Sequence, residues 1–358
     1  MRPAPTRREF LAVASLGAGL SLRRQNVTSR TRMCLAYTSF AVRMLQGRDI
    51  LKSTASALPA DGLLDLTERF WAGGAQVDLS QLESHDPTYL AKVRARAEKA
   101  GLWLELSVPS KYLESPDAYG QMAAVAQALG VDRIRVALLY GRRYESFATG
   151  EAWAAFDRKW RSQLQAIKAV VERHPIHVGI ENHKDYTAAE LADLLTSLDS
   201  DRIGACVDFG NNVSLLEDPL DTIRTLAPFA VTTHLKDMAV RATPDGFELS
   251  EVPLGEGLVP LAQAIGLIRA ARPDARLVLE MITRDPLSVP YRTDKYWIAV
   301  SRPAPAALAR FEREVLGTAW TTQLPRISHL SPAQQIEAED DNVRRSVRYA
   351  KDELKLEA

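Results

Sequence analysis

Four short apolar runs in this chain each end on a side chain that can bind a cation. His177-Val178-Gly179-Ile180 leads into Glu181, and Ile203-Gly204-Ala205-Cys206-Val207 into Asp208. Val231-Thr232-Thr233 leads into His234, and Leu277-Val278-Leu279 into Glu280. The four ligands lie 27, 26 and 46 residues apart, so two intervals fit one strand–helix unit and the third has room for an insertion. Alternate residues of a strand share a face, which puts Glu181 with Gly179, Asp208 with Cys206, His234 with Thr232 and Glu280 with Val278. Gly179 is small enough to leave space on that face. Strands that are apolar on both faces need cover on both sides, as in a parallel sheet flanked by helices. Polar residues at the C-terminal ends of several such strands converge at one rim when the sheet closes into a barrel.

The rest of the chain supplies the other units. Its 358 residues admit two domains or one large α/β barrel, and the alternation favours one. Strands are expected at Met33–Tyr37, Ala75–Leu79, Leu102–Val108 and Arg133–Leu139, ahead of the four runs above, of which the last is Arg276–Glu280. Helical spacing marks 61–71, 87–100, 118–129, 151–173, 188–198, 219–226 and 261–271. Gly101 and Gly130 serve as stops, and Thr187 with Glu190 as a capping box. The expected architecture is α/β, a single (β/α)8 barrel over residues 31–330. Two stretches interrupt it. Residues 239–257 read as a hairpin insertion around Thr243-Pro244-Asp245-Gly246, and 283–300 as a long loop. Residues 331–358 read as a C-terminal helix opened by Ser331-Pro332 and packed on the barrel.

Composition excludes several partners. Lys+Arg and Asp+Glu each number 45, so there is no electrostatic footprint for nucleic acid or an anionic membrane. No apolar run approaches the roughly 20 residues of a membrane span. Cys34 and Cys206, the only cysteines, sit in apolar runs and read as buried thiols. At the N-terminus, Thr6-Arg7-Arg8-Glu9-Phe10-Leu11 precedes an apolar stretch from Leu11 to Leu22. Residues 1–30 therefore read as a twin-arginine (Tat) export signal without a clean A-x-A cleavage site, directing the protein to the periplasm or elsewhere outside the cytoplasm. If the signal is not functional, the protein is cytoplasmic. A homo-oligomer is compatible with the sequence, which specifies none.

Three carboxylates and an imidazole make a hard, oxygen-rich donor set. Glu181, Asp208, His234 and Glu280 suit one divalent metal ion, Mn2+ first, with Mg2+, Co2+ and Zn2+ as alternatives. Two coordination positions would stay open for substrate oxygens. Nearby, His183 is a candidate base or hydroxyl ligand, and Lys236 a candidate to polarise a carbonyl or anchor a hydroxyl. Arg142 and Arg143 follow the fourth strand and are candidates for substrate hydroxyls, carboxylate or phosphate. Tyr291, Tyr296 and Trp297 offer a stacking wall for a sugar ring. Glu256, between two glycines, is a weaker substrate-binding candidate and fits loop architecture better. Glu105 and His85 are supporting candidates near strand ends.

Glu181-Asn182-His183, Asp208-Phe209-Gly210-Asn211, His234-Leu235-Lys236-Asp237, Gly255-Glu256-Gly257 and the Glu280 strand together resemble the xylose-isomerase-like TIM-barrel superfamily, the sugar phosphate isomerase/epimerase group. The resemblance runs from about Met33 to Tyr349. It implies a metal on Glu181, Asp208, His234 and Glu280, with Glu181 and Glu280 flanking the substrate as catalytic proton carriers. Several epimerases of the group have a second histidine where this chain has Asn211, which makes Asn211 a substrate contact and points to a different substrate set. The endonuclease IV branch needs a histidine-rich multinuclear site, and six histidines without a basic groove fit it poorly. The implied activity is a metal-dependent sugar isomerase or epimerase working through an enediolate on a small carbohydrate. Export favours an unphosphorylated sugar or keto-sugar. The alternative within the fold is a 3-keto-glycoside lyase or hydratase that eliminates from the same enediolate. The alternative outside enzymes is a non-catalytic sugar-binding barrel, which would purify without metal.

Overall fold

Val, Leu, Ile and Ala side chains fill the strand runs on both faces, so the strands are stable only between a filled interior and an outer layer of helices. The computed structural model describes residues 32–45 and 58–357; the twin-arginine stretch lies outside them. The barrel strands are β1 (Met33–Ala36), β2 (Gly74–Asp78), β3 (Trp103–Ser107), β4 (Arg133–Val136), β5 (His177–Glu181), β6 (Ile203–Asp208) and β7 (Ala230–Leu235). After a hairpin of β8 (Asp237–Thr243) and β9 (Gly246–Val252), β10 (Arg276–Leu279) closes the ring by pairing with both β7 and β1. All eight barrel pairings are parallel.

Gly179 and Gly204 face each other across β5 and β6. A Cβ on Gly179 would stand 3.1 Å from the Cys206 nitrogen, and one on Gly204 would stand 2.3 Å from the Phe229 carbonyl oxygen. Gly179 thus allows close strand approach; it does not open an empty interior as the sequence suggested.

Helix starts follow local chemistry. Asp86-Pro87, Ser115-Pro116, Asp218-Pro219 and Ser331-Pro332 each place a capping side chain before a proline that needs no amide donor. They open α2 (Pro87–Lys99), α3 (Pro116–Ala128), α7 (Pro219–Leu226) and α10 (Pro332–Asp352), while α1 is Ala60–Arg69. Between α3 and α7 lie the short α4 (Arg143–Ser146), α5 (Gly150–Glu172) and α6 (Ala188–Leu198). Helix α6 carries the expected Thr187–Glu190 capping box. Then come α8 (Leu261–Ala271) and α9 (Pro305–Glu314). Helix α9 has no counterpart in the sequence reading; of its ten residues only Phe311 is buried. Among the described residues no helix is long and apolar enough to cross a membrane. Both cysteines are free and buried.

The two interruptions are one structure. The hairpin begins at Asp237, and the loop after β10 contributes β11 (Leu287–Val289), which pairs antiparallel with β9. The resulting three-stranded sheet stands over the C-terminal rim beside β7 and β10. Asp237 anchors its base. Its carboxylate accepts the backbone N–H groups of Met238, Gly255, Gly257 and Val259 at 2.9–3.0 Å. Gly255 has φ +86°, and a Cβ there would strike the Tyr349 ring at 2.1 Å, so the loop packs directly on α10. Helix α10 also holds the segment after β1, because Glu339 accepts from Val42 N at 2.6 Å and from Arg43 at 2.5 Å.

Replacing Asp237 by Ala strips four buried or half-buried N–H donors of their acceptor. We expect a loss of about 2–3 kcal/mol in urea denaturation. A loss under about 0.5 kcal/mol, the scale of an ordinary surface substitution, would show that the carboxylate does not hold the loop.

Candidate metal centre

The C-terminal ends of β5, β6, β7 and β10 carry Glu181, Asp208, His234 and Glu280. Their donor atoms all lie within 4.8 Å of one another, and all four side chains are buried. Each is aimed by a different local device. Asn182 clamps β6 beside β5, accepting from the Asp208 N–H at 2.8 Å and donating to its carbonyl at 2.9 Å. Asp208 Oδ1 then accepts the N–H groups of Gly210 and Asn211 at 2.9 and 2.7 Å. This turns Oδ2 toward the other ligands. That buried oxygen makes no well-formed hydrogen bond, although Lys236 Nζ lies 3.1 Å away.

His234 is oriented from behind. Gln76 donates its amide N–H to Glu105 Oε2 at 3.1 Å, and Glu105 accepts from the Thr232 hydroxyl at 3.0 Å. A carboxylate only accepts, so the Gln76 carbonyl oxygen must face His234 Nε2, 2.9 Å away. Nε2 therefore carries the proton, and Nδ1 points its lone pair at the carboxylates. It lies 3.3 Å from Glu181 Oε1, 3.3 Å from Glu280 Oε2 and 3.8 Å from Asp208 Oδ2. This is the tautomer and direction that a histidine metal ligand needs.

The two glutamates are kept ionised. Glu181 Oε2 accepts from the buried Arg135 guanidinium, and Oε1 from Asn211 Nδ2 at 3.0 Å. Glu280 Oε1 accepts the Thr38 hydroxyl at 2.7 Å, and Oε2 lies 2.6 Å from Lys236 Nζ. Burial works against both charges, yet Arg135 and His234 hold Glu181, and His234 and Lys236 hold Glu280, well below the usual carboxylate range. Asp208 is pushed upward, by burial and by the charges of Glu181 and Glu280. Burial opposes the His234 charge, but its acidic neighbours raise its affinity for a proton. A proton and a cation thus compete for Nδ1. The bare Asp208 oxygen, the exposed lone pair and the hard donor set fit a divalent metal ion.

The structure sorts the other sequence candidates. Lys236 and Asn211 join the cluster, with Lys236 Nζ 3.2 Å from Asn211 Oδ1. Burial opposes the Lys236 charge, but Asp208, Glu280 and Glu251 keep it charged above the usual lysine range. His183 stands half-buried at the rim, its Nδ1 donating to the Leu139 carbonyl at 2.7 Å. Burial, with Lys184 and Arg135 nearby, pushes its pKa down to about 3, so Nε2 is a neutral acceptor and a weak base. Glu105 sits behind the site as described, whereas His85 is exposed.

Several expected substrate contacts are occupied elsewhere. Arg143 is buried against Trp153 and bonded to the Ala299 carbonyl and Glu190 at 2.6 Å, because it ties α4 to α6. Arg142 pairs with Glu145 at 2.6 Å. Glu256 is engaged by Arg345 of α10, Tyr291 donates to Glu312 at 2.6 Å, and Trp297 packs between Tyr296 and Arg302. Arg135, Gln76, Thr38, Lys184, Glu251 and Arg284 were missed. Arg135 and Gln76 left a signal as polar residues inside apolar strands; the others come from loops or the hairpin. Glu251 accepts from Arg284 at 2.5 and 3.1 Å, joining the hairpin to the loop after β10. A groove of about 330 Å3 opens on the opposite half of the rim, lined by Tyr37, Thr38, Asp78, Pro109 and Tyr140.

A family model described as a xylose isomerase-like TIM barrel matches residues 66–311. The chain is 27% identical over 223 residues to the 3-oxo-isoapionate decarboxylase of Pectobacterium atrosepticum, which covers 62% of this chain and 75% of that protein. A xylose isomerase-like TIM barrel protein from Mycobacterium smegmatis, solved in complex with magnesium, has a TM-score of 0.52 at 15% identity, over 77% of this chain and 97% of that one. A D-psicose 3-epimerase solved with D-fructose has a TM-score of 0.53 at 14% identity, over 89% and 98%. At these identities the two solved structures bear on the fold alone.

Two outcomes follow. Gln76→Leu removes the acceptor that fixes His234, and should weaken Mn2+ binding about 10- to 100-fold by calorimetry; unchanged affinity would mean that the tautomer is set otherwise. The second concerns acid stability. Burial would raise the Glu251 pKa, but Arg284 and Lys236 lower it from 4.5 to about 2. A carboxyl depressed in the fold stabilises it above the unfolded value, and that contribution is lost as pH falls through the folded one. The wild type should therefore lose stability between pH 4.5 and about 2, and Glu251→Gln should flatten that slope in denaturation at stepped pH. Equal slopes would remove Glu251 from the account.

Proposed function

Because the chain belongs to the xylose isomerase-like TIM-barrel family, we propose that it is a divalent-metal-dependent sugar isomerase or epimerase acting through an enediolate on an unphosphorylated sugar or keto-sugar. The observation that carries this reading is the pairing of Glu181 and Glu280. Both are buried, ionised and aimed at the same point beside Asp208 and His234. When bound, a divalent cation polarises neighbouring carbonyl and hydroxyl oxygens and offsets the charge of an enediolate. The three carboxylates favour Mn2+, with Mg2+, Co2+ and Zn2+ as alternatives.

The side chains divide the remaining work. Glu280 has a hydroxyl and an ammonium as partners and lies on the groove side through Thr38, so it takes the proton from the substrate carbon. Glu181 is ionised at rest with Oε2 held by Arg135, so it takes a proton from solvent on Oε1 and then delivers it to the opposite face of the carbon. Lys236 stays charged between Asp208 and Glu280 and steadies negative charge without moving a proton. His183 Nε2 accepts a substrate hydroxyl. The twin-arginine pattern supports the unphosphorylated class, since sugar phosphates are mostly cytoplasmic metabolites.

A second reading has one observation in its favour, the similarity to a 3-oxo acid decarboxylase. Loss of CO2 from a 3-oxo acid yields the same kind of enolate without proton abstraction. Deuterium wash-in separates the two. Epimerisation places solvent deuterium on the acidified carbon of recovered sugar, whereas decarboxylation releases CO2 and deuterates only the product.

Glu280→Gln keeps shape and removes the base. Wash-in from D2O should fall by about 100- to 10,000-fold with an unchanged melting temperature. Near-native exchange would refute the role of Glu280.

A further inference from the structure

One buried cation beside the ligand cluster forms no direct ion pair among the described residues. Arg135 is paired with Glu181, Lys236 with Asp208 and Glu280, and Arg284 with Glu251. Lys184 is only 4% exposed, and among the described residues its Nζ has a single partner, the neutral amide oxygen Oδ1 of Asn211. That same oxygen accepts from Lys236. Two ammonium groups therefore converge on one atom that carries no full charge. Lys184 also has φ +65°, a left-handed backbone conformation unusual for a side chain with a Cβ. The fold tolerates backbone strain to keep this ammonium inside.

We infer that Lys184 binds a carboxylate of the substrate, so that the substrate class is a keto-sugar acid rather than a neutral sugar. This rests on the metal-dependent reading above. Charge balance points the same way. Glu181, Asp208, Glu280 and Glu251 are matched by Arg135, Lys236, Arg284 and Lys184, all in or beside one buried site. A divalent cation on the four ligands adds two positive charges there, and an anionic substrate offsets them where water cannot. Burial, then Lys236 and Arg284, lower the Lys184 pKa to about 8, and Glu251 and Asp208 offset this only in part. A carboxylate fits better than a phosphate. Phosphate sites gather several backbone N–H groups, and the nearby ones of His183 and Tyr186 already donate to Asp185 at 3.1 and 2.7 Å. Asn211, bonded to Glu181 through Nδ2 and to both lysines through Oδ1, places the bound carboxylate next to the reacting carbons.

The test is calorimetry on the full chain loaded with Mn2+. Matched ligands share a skeleton: fructuronate against fructose, tagaturonate against tagatose, with fructose 6-phosphate as a third arm. The acids should bind at least about tenfold more tightly than their neutral partners, the range of one charge-assisted contact. Lys184→Met should remove that preference, so that acids and neutral sugars bind alike, while Lys184→Arg retains it; melting temperatures report folding. Acids that bind no better than neutral sugars, no binding by any acid, tighter binding of the phosphate, or an unchanged preference in Lys184→Met would each overturn the inference. A separate Mn2+ titration distinguishes the two proposals. Failure of the wild type to bind Mn2+ defeats the metal-dependent reading, whereas normal Mn2+ binding by a wild type that shows no acid preference defeats only the role of Lys184.

Discussion

Repulsion among three buried carboxylates is the constraint that the rest of this molecule answers. Glu181, Asp208 and Glu280 have oxygens within 4.8 Å of one another, in a place where water cannot screen them. Such a cluster stays charged only when each member has its own cationic or hydrogen-bonding support. Arg135 serves Glu181, backbone N–H groups and Lys236 serve Asp208, and Thr38 and Lys236 serve Glu280. These supports come from separate strands and loops around the ring. Closing the barrel is therefore what allows the charges to be placed at all.

The same constraint explains the second layer. A histidine among three carboxylates would take a proton on Nδ1 unless a cation claimed that lone pair. Gln76, fixed in turn by Glu105, decides which nitrogen is available. The polar chain crosses the barrel interior from β2 to β3 and reaches Thr232 on β7, so residues that look like misplaced polar groups in apolar strands are the frame of the site.

Much of this was legible in the sequence, for identifiable reasons. Strand parity and the strand–helix interval located Glu181, Asp208, His234 and Glu280, because side-chain direction in a strand is fixed by position. The barrel itself followed from the alternation. Loop residues behaved differently. Arg143, Glu256, Tyr291 and Trp297 had the right chemistry and rim positions, but their directions depend on Glu190, Arg345, Glu312 and Arg302, and no local pattern announces those partners. Glu105 was singled out from its place near a strand end, and Gln76 and Arg135 were within reach of the same parity argument that found the ligands. Thr38 and Arg284 were not, since their roles arise only when the ring closes.

The sheet over the rim joins two insertions that lie far apart in the chain. Strand β11, from the loop after β10, completes the hairpin after β7, and Glu251 holds Arg284 across the junction. Removing β11 alone would uncover one edge of β9 and part Glu251 from Arg284, leaving the carboxylate only Lys236 at 3.9 Å among the described residues. The two loops therefore form one heritable unit. Divergence toward new substrates in a barrel built this way should run through the other half of the rim, where Tyr37 after β1, Asp78 at the end of β2 and Tyr140 after β4 line the groove apart from this sheet.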